Sequence, residues 1–129
     1  MGENYKYSQV TELIIKGFYN VYNQLGFGFL ENVYEKALHY ELCQLGLKCN
    51  CQCPIEVYYH SHNVGFYIAD MIINDCVIVE IKAASTIVPE HEAQLINYLR
   101  ATEIELGILL NFGRMASIKR KVVSSTFKR

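Results

Sequence analysis

The sequence lacks any long apolar run. A membrane-spanning helix needs about 20 consecutive apolar residues, and no stretch of the 129 residues approaches that length. The first residues, MGENYKYSQ, also lack the basic and then apolar order of a secretory signal peptide. Internal repeats and low-complexity linkers are absent as well. These absences argue against a membrane or secreted protein, and we expect a single cytoplasmic domain over residues 1–129 with no membrane partner.

The sequence also lacks an excess of charge of either sign. Twelve basic residues stand against 13 acidic ones, which gives a net charge of −1, so no global attraction to nucleic acid is expected. Half of the basic residues, and no acidic residue, lie in the segment 112–129: Arg114, Lys119, Arg120, Lys121, Lys128 and Arg129. Such a segment can hold phosphate groups or act as a solubilising tail, and the sequence alone leaves both readings open.

A regular zinc-binding pattern is missing too. The five cysteines are odd in number and no secretion signal accompanies them, so reduced thiols are expected rather than disulfides. Cys49, Cys51 and Cys53 would share one face of a strand, which raises the hypothesis of a metal site. The spacing is C-x-C-x-C without the C-x2-C knuckle typical of structural zinc. We therefore favour small, half-buried residues for this cluster.

What the sequence does contain is a clear order of elements. Hydrophobic residues make up 51% of the chain, which excludes a largely disordered protein. Helical spacing predicts a first helix capped by Ser8, a second ended by Gly46 and a third begun by Pro89. Pro54 places the first strand near a sheet edge. The predicted elements are helices near 8–25 and 30–45, a strand near 48–59, a hairpin over 66–82, a helix from 89, and strands near 106–112 and 118–123. This order predicts an α/β (α+β) fold with a central mixed β-sheet flanked by helices.

The hairpin at 66–82 carries three charged residues inside apolar strands. An unpaired charge in an apolar core is costly, yet Asp70 lies on the first strand, and Glu80 and Lys82 share one face of the second. Two neighbouring carboxylates repel each other unless a cation lies between them, and oxygen ligands suit Mg²⁺ or Mn²⁺. The lysine could then steady an attacking water or a phosphate charge. The alternative is a structural ion pair, or strand-end charges that face water.

Two motifs on the helices accompany this hairpin. Gly28, Glu31 and Tyr34 form a G-x-x-E-x-x-Y pattern at the start of the second helix, where a carboxylate is stabilised by the helix dipole. Gln94 and Tyr98 are i,i+4 neighbours on the third helix. Taken alone, Glu31 is a capping carboxylate and the Gln–Tyr pair is a surface pair. Together with the hairpin, both motifs can instead face a functional site.

These motifs together resemble the GxxExxY family, which is grouped with the PD-(D/E)XK nuclease superfamily and its restriction-endonuclease-like fold. The likeness rests on four motifs in order along the chain: Gly28-x-x-Glu31-x-x-Tyr34, Ala69-Asp70, Glu80-x-Lys82 and Gln94-x-x-x-Tyr98. It implies that Asp70 and Glu80 are metal-binding acids, that Glu31 is a helix glutamate near the same metal, and that Lys82 is the catalytic lysine. Gln94 and Tyr98 match the Q-x-x-x-Y motif of the RecB-like branch.

The chain departs from the superfamily pattern at two positions. Ile68 stands where relatives often have a basic residue, a change that would weaken a phosphate contact. Ala69 replaces the proline of the superfamily's name, which is a common variation.

The resemblance implies a Mg²⁺- or Mn²⁺-dependent phosphodiesterase that acts on nucleic acid, and on DNA in particular, as a homodimer or within a larger repair or defence complex. The residues expected to contact nucleic acid are Arg114, Lys119, Arg120 and Lys121. Two other hypotheses stay open. One is a nucleic-acid-binding or complex-forming module on the same fold without useful turnover, and the other is a structural protein whose charged hairpin is an ion pair. The presence of both acids and the lysine favours the enzyme over the structural protein.

Two structural predictions follow from the proposed metal site. For Asp70 and Glu80 to share a face, the loop between their strands must hold an odd number of residues or a bulge, so we predict a three-residue loop at 74–76. Without a metal, these two carboxylates and Glu31 should repel one another and raise at least one carboxyl pKa. Lys82 should offset part of that rise.

Overall fold

The computed structural model describes residues 7–128, and Arg129 of the basic segment lies outside the described residues. The described chain follows the predicted order of elements. They are α1 (Ser8–Leu25), α2 (Glu31–Gln44), β1 (Cys49–Tyr59), β2 (His62–Ile73), β3 (Val77–Lys82), α3 (Pro89–Arg100), β4 (Leu106–Phe112) and β5 (Ala116–Val122), with a short 3-10 turn at Ser125–Phe127.

The strands form one mixed sheet in the order β1-β2-β3-β4-β5. The β1–β2, β2–β3 and β4–β5 pairs are antiparallel, and β3 and β4 are parallel. Parallel neighbours need a crossover connection, and α3 supplies it. β1 lies at an edge, as Pro54 predicts, because proline has no N–H to donate to a further strand. The predicted mixed sheet with flanking helices is confirmed.

The helices cover both faces of this sheet. On one face α1 and α2 bury an aromatic cluster in which the Tyr34 ring stacks on Phe112 at 4.2 Å and the Phe18 ring meets Phe112 edge-on at 4.7 Å. On the other face α3 packs Leu95 and Leu99 against the sheet. All seven residues of β4 are buried, as expected for a central strand that is covered on both sides.

The connection between β2 and β3 has the predicted three residues. Ile73 pairs with Val77 and Met71 pairs with Val79, which leaves residues 74–76 as the loop and places Asp70 opposite Glu80. Asn74 adopts a left-handed backbone with φ of 51°, a conformation that asparagine tolerates better than most residues. The prediction that the two acids share a face through an odd-numbered loop is confirmed.

The start of α1 differs from the prediction. Ser8 lies inside the helix, and the residue at the N-cap is Tyr7, without a hydrogen bond from its side chain to the helix end. The backbone carbonyl of Tyr7 already accepts from the Thr11 N–H at 2.9 Å. The helix therefore begins one residue earlier than it would if Ser8 were the N-cap, and the prediction that Ser8 caps α1 is wrong.

The expectation that Cys49, Cys51 and Cys53 share one face is also wrong. Cys49 and Cys51 pack on the side of α1 and α2, whereas Cys53 packs against the core under α3. The cause lies between them, because Gln52 has a left-handed φ of 54°. A left-handed residue rotates the strand about its axis and breaks the alternation of side chains that a regular strand maintains.

Candidate active site

The acids Asp70 and Glu80 are fixed by each other's strands. The Asp70 backbone N–H donates to Glu80 Oε2 at 2.7 Å, and the Ile81 backbone N–H donates to Asp70 Oδ2 at 2.8 Å. Regular pairing between β2 and β3 ends one step earlier, at Met71 and Val79. The two carboxylates thus replace the ladder hydrogen bonds at the point where the strands part, and one oxygen of each is held in place by backbone.

Burial dominates the electrostatics of this pair. Glu80 is only 3% exposed, and its burial, with the neighbouring charge of Asp70, raises its pKa to about 8. The pKa of Asp70 is also raised, first by burial and then by the charges of Glu35 and Glu31. The positive charge of Lys82 lowers both pKa values. The predicted rise and the partial offset by Lys82 are confirmed, but desolvation contributes more than repulsion does.

The lysine is held by the motif on α3. Lys82 Nζ donates to Gln94 Oε1 at 3.1 Å, which joins the end of β3 to the first turns of α3. Tyr98 follows one helical turn later and is 5% exposed. Burial, together with the charges of Glu80 and Asp70, raises the pKa of Tyr98 to about 12, so its hydroxyl stays protonated near neutral pH. The structure therefore brings the acids, the lysine and the Gln–Tyr pair together.

In the G-x-x-E-x-x-Y motif, the glycine and the tyrosine shape the loop before α2, and the glutamate begins the helix. The buried Tyr34 hydroxyl donates to the Gly26 carbonyl at 2.6 Å and accepts from the Phe29 N–H at 3.2 Å. It thereby closes the loop before α2, in which Gly28 has a φ of +113° that glycine adopts at little cost. Glu31 follows as the first residue of α2 and is exposed. Gly28 and Tyr34 thus shape the loop that leads to Glu31.

A fourth carboxylate near the acids was not found from the sequence. Glu35 lies one helical turn after Glu31, and its negative charge raises the pKa of Asp70 more than the charge of Glu31 does. The Nε2 group of Gln52 donates to both Glu35 carboxylate oxygens, at 2.9 and 3.0 Å. The i,i+4 spacing of the two glutamates is the sequence signal that could have indicated it. The contact with Gln52 has no such signal, because it depends on how β1 meets α2.

The donor set fits a hard divalent cation. Asp70 and Glu80 offer only oxygen, as Mg²⁺ and Mn²⁺ prefer, and a bound cation would favour the ionised form that burial disfavours. Glu31 does not complete a compact set with them. Within residues 7–128, Glu31, Asp70 and Glu80 do not bring one ligand atom each within 4.8 Å of one another. The charge of Glu31 nevertheless influences the site, since it raises the pKa of both Asp70 and Glu80.

The four basic residues of the predicted nucleic-acid contact do not form one patch. Cross-strand partners share a face, so Lys119 and Lys121, opposite Leu109 and Gly107, lie on the side of α3, and Arg120 lies on the other. Lys121 Nζ also forms an ion pair with Glu92 at 2.6 Å. The fourth, at position 114, lies apart from the other three in the turn after β4.

A cleft is lined by the loops that directly precede Glu31 and follow Lys82 in the chain, although neither of these side chains, nor Asp70 or Glu80, lines it. Its walls are the loop before α2 at 27–30, the loop after β3 at 83–85, and Gly113 with Arg114. The Arg114 guanidinium lies 5.3 Å from the centre of the Phe27 ring. The buried Asn111 fixes one wall, because its side-chain amide exchanges two hydrogen bonds of 3.0 Å with the backbone of Ala84. These hydrogen bonds attach the loop that follows Lys82 to the end of β4.

Comparison with known proteins adds two findings. A family model described as the PD-(D/E)XK nuclease superfamily matches residues 8–123. PD-(D/E)XK nucleases generally use divalent metal ions and act on nucleic acid. A solved structure titled "Crystal structure of SSO0001" is similar with a TM-score of 0.59 and 19% sequence identity, over 93% of this chain and 62% of that chain. At this identity the likeness concerns the fold alone, and the present chain spans 62% of the length of that protein.

No curated protein matches the chain. Within residues 7–128, no helix has the length and apolar character needed to cross a membrane.

Proposed function

Because the chain belongs to the PD-(D/E)XK nuclease superfamily, we propose that it is a Mg²⁺-dependent nuclease that hydrolyses phosphodiester bonds of DNA, with Mn²⁺ as the alternative ion. The observation that carries the proposal is the reciprocal fixing of Asp70 and Glu80 by backbone N–H groups, beside a lysine held by Gln94. The motif at residues 28–34 supports an assignment to the GxxExxY branch of the superfamily.

Asp70 and Glu80 would bind the metal ion directly. Mg²⁺ keeps several of its waters and is usually held by one or two carboxylates, so these two acids are a sufficient protein contribution. Glu31 and Glu35 would act through the water shell of the ion. When bound, the ion supplies an activated water and offsets the charge that grows on the phosphate.

The role proposed for Lys82 is electrostatic. Its hydrogen bond to Gln94 Oε1 fixes the ammonium group near the two acids, and its charge lowers the pKa of both. A cation held in this way can orient the attacking water or stabilise the negative charge of the phosphate in the transition state. Gln94 is then a positioning residue, because it acts through the lysine.

The cleft between the three loops is the proposed path of the nucleic acid. Arg114 is exposed at its wall and offers a guanidinium to a phosphate. Lys119 is exposed on the α3 side of β5, the side on which Gln94 meets Lys82. Arg120 lies on the opposite face, so we expect it to contribute less to the same complex.

A nuclease assay with matched variants tests the proposal. Purified protein is incubated with single- and double-stranded DNA and RNA in Mg²⁺ or Mn²⁺. We expect Asp70→Asn to abolish metal-dependent cleavage, and Lys82→Ala to lower turnover by about 10²-fold while metal binding persists. Lys48→Ala is the control, because it removes the same charge from an exposed ion pair with Asp75 at the far end of the β2–β3 hairpin.

Each outcome has a defined meaning. Cleavage by Lys82→Ala at the rate of the unchanged protein would refute the role given to this lysine. Salt-dependent binding of nucleic acid without cleavage in either metal would favour the binding module on the same fold. Cleavage of RNA but not DNA would contradict the proposed substrate.

A further inference from the structure

A second group of metal-binding side chains lies where α2 meets β1. His39, Cys49 and Cys51 each offer one ligand atom, and these three atoms all lie within 4.8 Å of one another. Cys43 does not belong to this compact set, although its Sγ lies 3.7 Å from His39 Nε2. Tetrahedral zinc, with bonds of about 2.0–2.3 Å, separates its ligand atoms by about 3.5–3.8 Å. The ligand atoms of His39, Cys49 and Cys51 are therefore within about 1 Å of the spacing that the ion requires.

We propose that His39, Cys43, Cys49 and Cys51 bind a zinc ion that links α2 to β1. The first two are i,i+4 neighbours and face one side of the helix, and the last two are i,i+2 neighbours on one side of the strand. Two pairs on facing elements would supply four ligands without a C-x2-C knuckle, once the exposed Cys43 side chain turns toward the other three. Three thiolates and an imidazole suit zinc and not Mg²⁺, so this site is chemically distinct from the acidic one.

A purely packing role explains only part of the group. Cys49 is buried, and its thiol donates weakly to Met71 Sδ at 3.6 Å, as a small core residue can do. His39 and Cys43 are exposed and gain nothing from core packing. A shallow pocket at 35–36, His39 and Cys51 gives an ion access from solvent.

The site would support the neighbouring carboxylates. Cys51 directly precedes Gln52, which holds Glu35 through two hydrogen bonds, and the charge of Glu35 raises the pKa of Asp70. A zinc ion at Cys51 would therefore fix the segment of β1 that positions Glu35. The zinc proposal itself does not depend on nuclease activity.

Titration with Co²⁺, a spectroscopic substitute for zinc, tests the proposal on the reduced full-length protein. We expect one thiolate-bound Co²⁺ per chain, counted by a thiolate-to-cobalt charge-transfer band that appears with the visible bands of tetrahedral cobalt, and loss of these bands when Zn²⁺ is added. Cys51→Ser should weaken Zn²⁺ binding by roughly 10²-fold or more, because four ligands share the binding free energy. His39→Asn changes an exposed residue and should have the same effect on a protein that still folds by circular dichroism.

Two variants serve as controls. Cys53→Ser alters a thiol only two residues further along β1 that packs on the other core, and Asp70→Asn alters the acidic site; neither should change the charge-transfer band. Absence of that band in the unchanged protein, or its equal loss in Cys53→Ser and Cys51→Ser, would overturn the proposal. An unchanged band in Cys43→Ser would overturn Cys43 as the fourth ligand.

Discussion

Replacing Glu80 with glutamine should make the metal-free protein more stable at pH 8 and remove its response to Mg²⁺. Glu80 is 3% exposed and its pKa rises from 4.5 to about 8 in the fold. At pH 8 about half of the Glu80 side chains in the folded protein are ionised, and the buried charge destabilises the fold because water cannot solvate it. Glutamine has a similar volume, stays neutral at every pH, and keeps an oxygen that can accept from the Asp70 N–H.

The magnitude follows from proton linkage. Between pH 4.5 and 8 the folded protein holds a proton on Glu80 that the unfolded chain has released, so the free energy of unfolding falls as pH rises. The contribution is complete below pH 4.5 and is lost by the time the pH exceeds 8. A rise of the pKa from 4.5 to about 8 corresponds to a maximum of about 5 kcal/mol at 25 °C. Relaxation around the charge and coupling to Asp70 reduce that maximum.

Urea denaturation at pH 5, 6.5 and 8 measures the effect. The chain has no tryptophan, so far-ultraviolet circular dichroism is the suitable signal. Unchanged protein and Glu80→Gln are compared without divalent ions and with millimolar Mg²⁺ or Mn²⁺. An ion present at 100 times its dissociation constant should stabilise the unchanged protein by about 2.7 kcal/mol and the variant by far less. Glu12→Gln, an exposed change on α1, is the control and should follow the unchanged protein.

Two results would refute this reasoning. Parallel pH profiles for the unchanged protein and Glu80→Gln would mean that Glu80 titrates in the fold as it does in water. Equal stabilisation of both by Mg²⁺ would mean that Glu80 is not a ligand.

Two further predictions concern the loop before α2 and the basic strand. Tyr34→Phe should lower the free energy of unfolding, measured by urea denaturation, by about 1–3 kcal/mol, because the hydroxyl forms hydrogen bonds with two backbone groups of that loop. The control is Tyr40→Phe, at a residue 65% exposed, which should change the free energy of unfolding by less than about 0.5 kcal/mol. Equal losses in the two variants would contradict the role given to the Tyr34 hydroxyl. Lys119→Ala should reduce the steepness of the plot of log DNA affinity against log salt concentration by about 0.9, as measured by fluorescence anisotropy. Arg120→Ala, on the other face of β5, should leave this slope nearly unchanged. Equal changes in the two variants would mean that nucleic acid contacts both faces of β5.

Much of the fold was determined by local sequence patterns. Helical and alternating spacings predicted the three helices and the strands, Pro54 predicted the sheet edge, and parity alone predicted the three-residue loop that sets Asp70 opposite Glu80. These inferences succeed because the period of side chains along a helix or strand is fixed by backbone geometry. The alternation of side chains along a strand also implies that Lys119 and Arg120 lie on opposite faces of β5, although the run of basic residues suggested a single patch.

Other features were decided only by the tertiary structure. The left-handed backbone at Gln52 moves Cys53 to the opposite core and turns the Gln52 amide toward Glu35, and no local period predicts either result. The dominance of burial over repulsion at Glu80 depends on how completely the sheet and its helices exclude water. The approach of His39 to Cys49 and Cys51 likewise requires α2 to lie across β1. Such contacts join residues far apart in sequence, and their distances are set by the packing of whole elements, which local spacing does not encode.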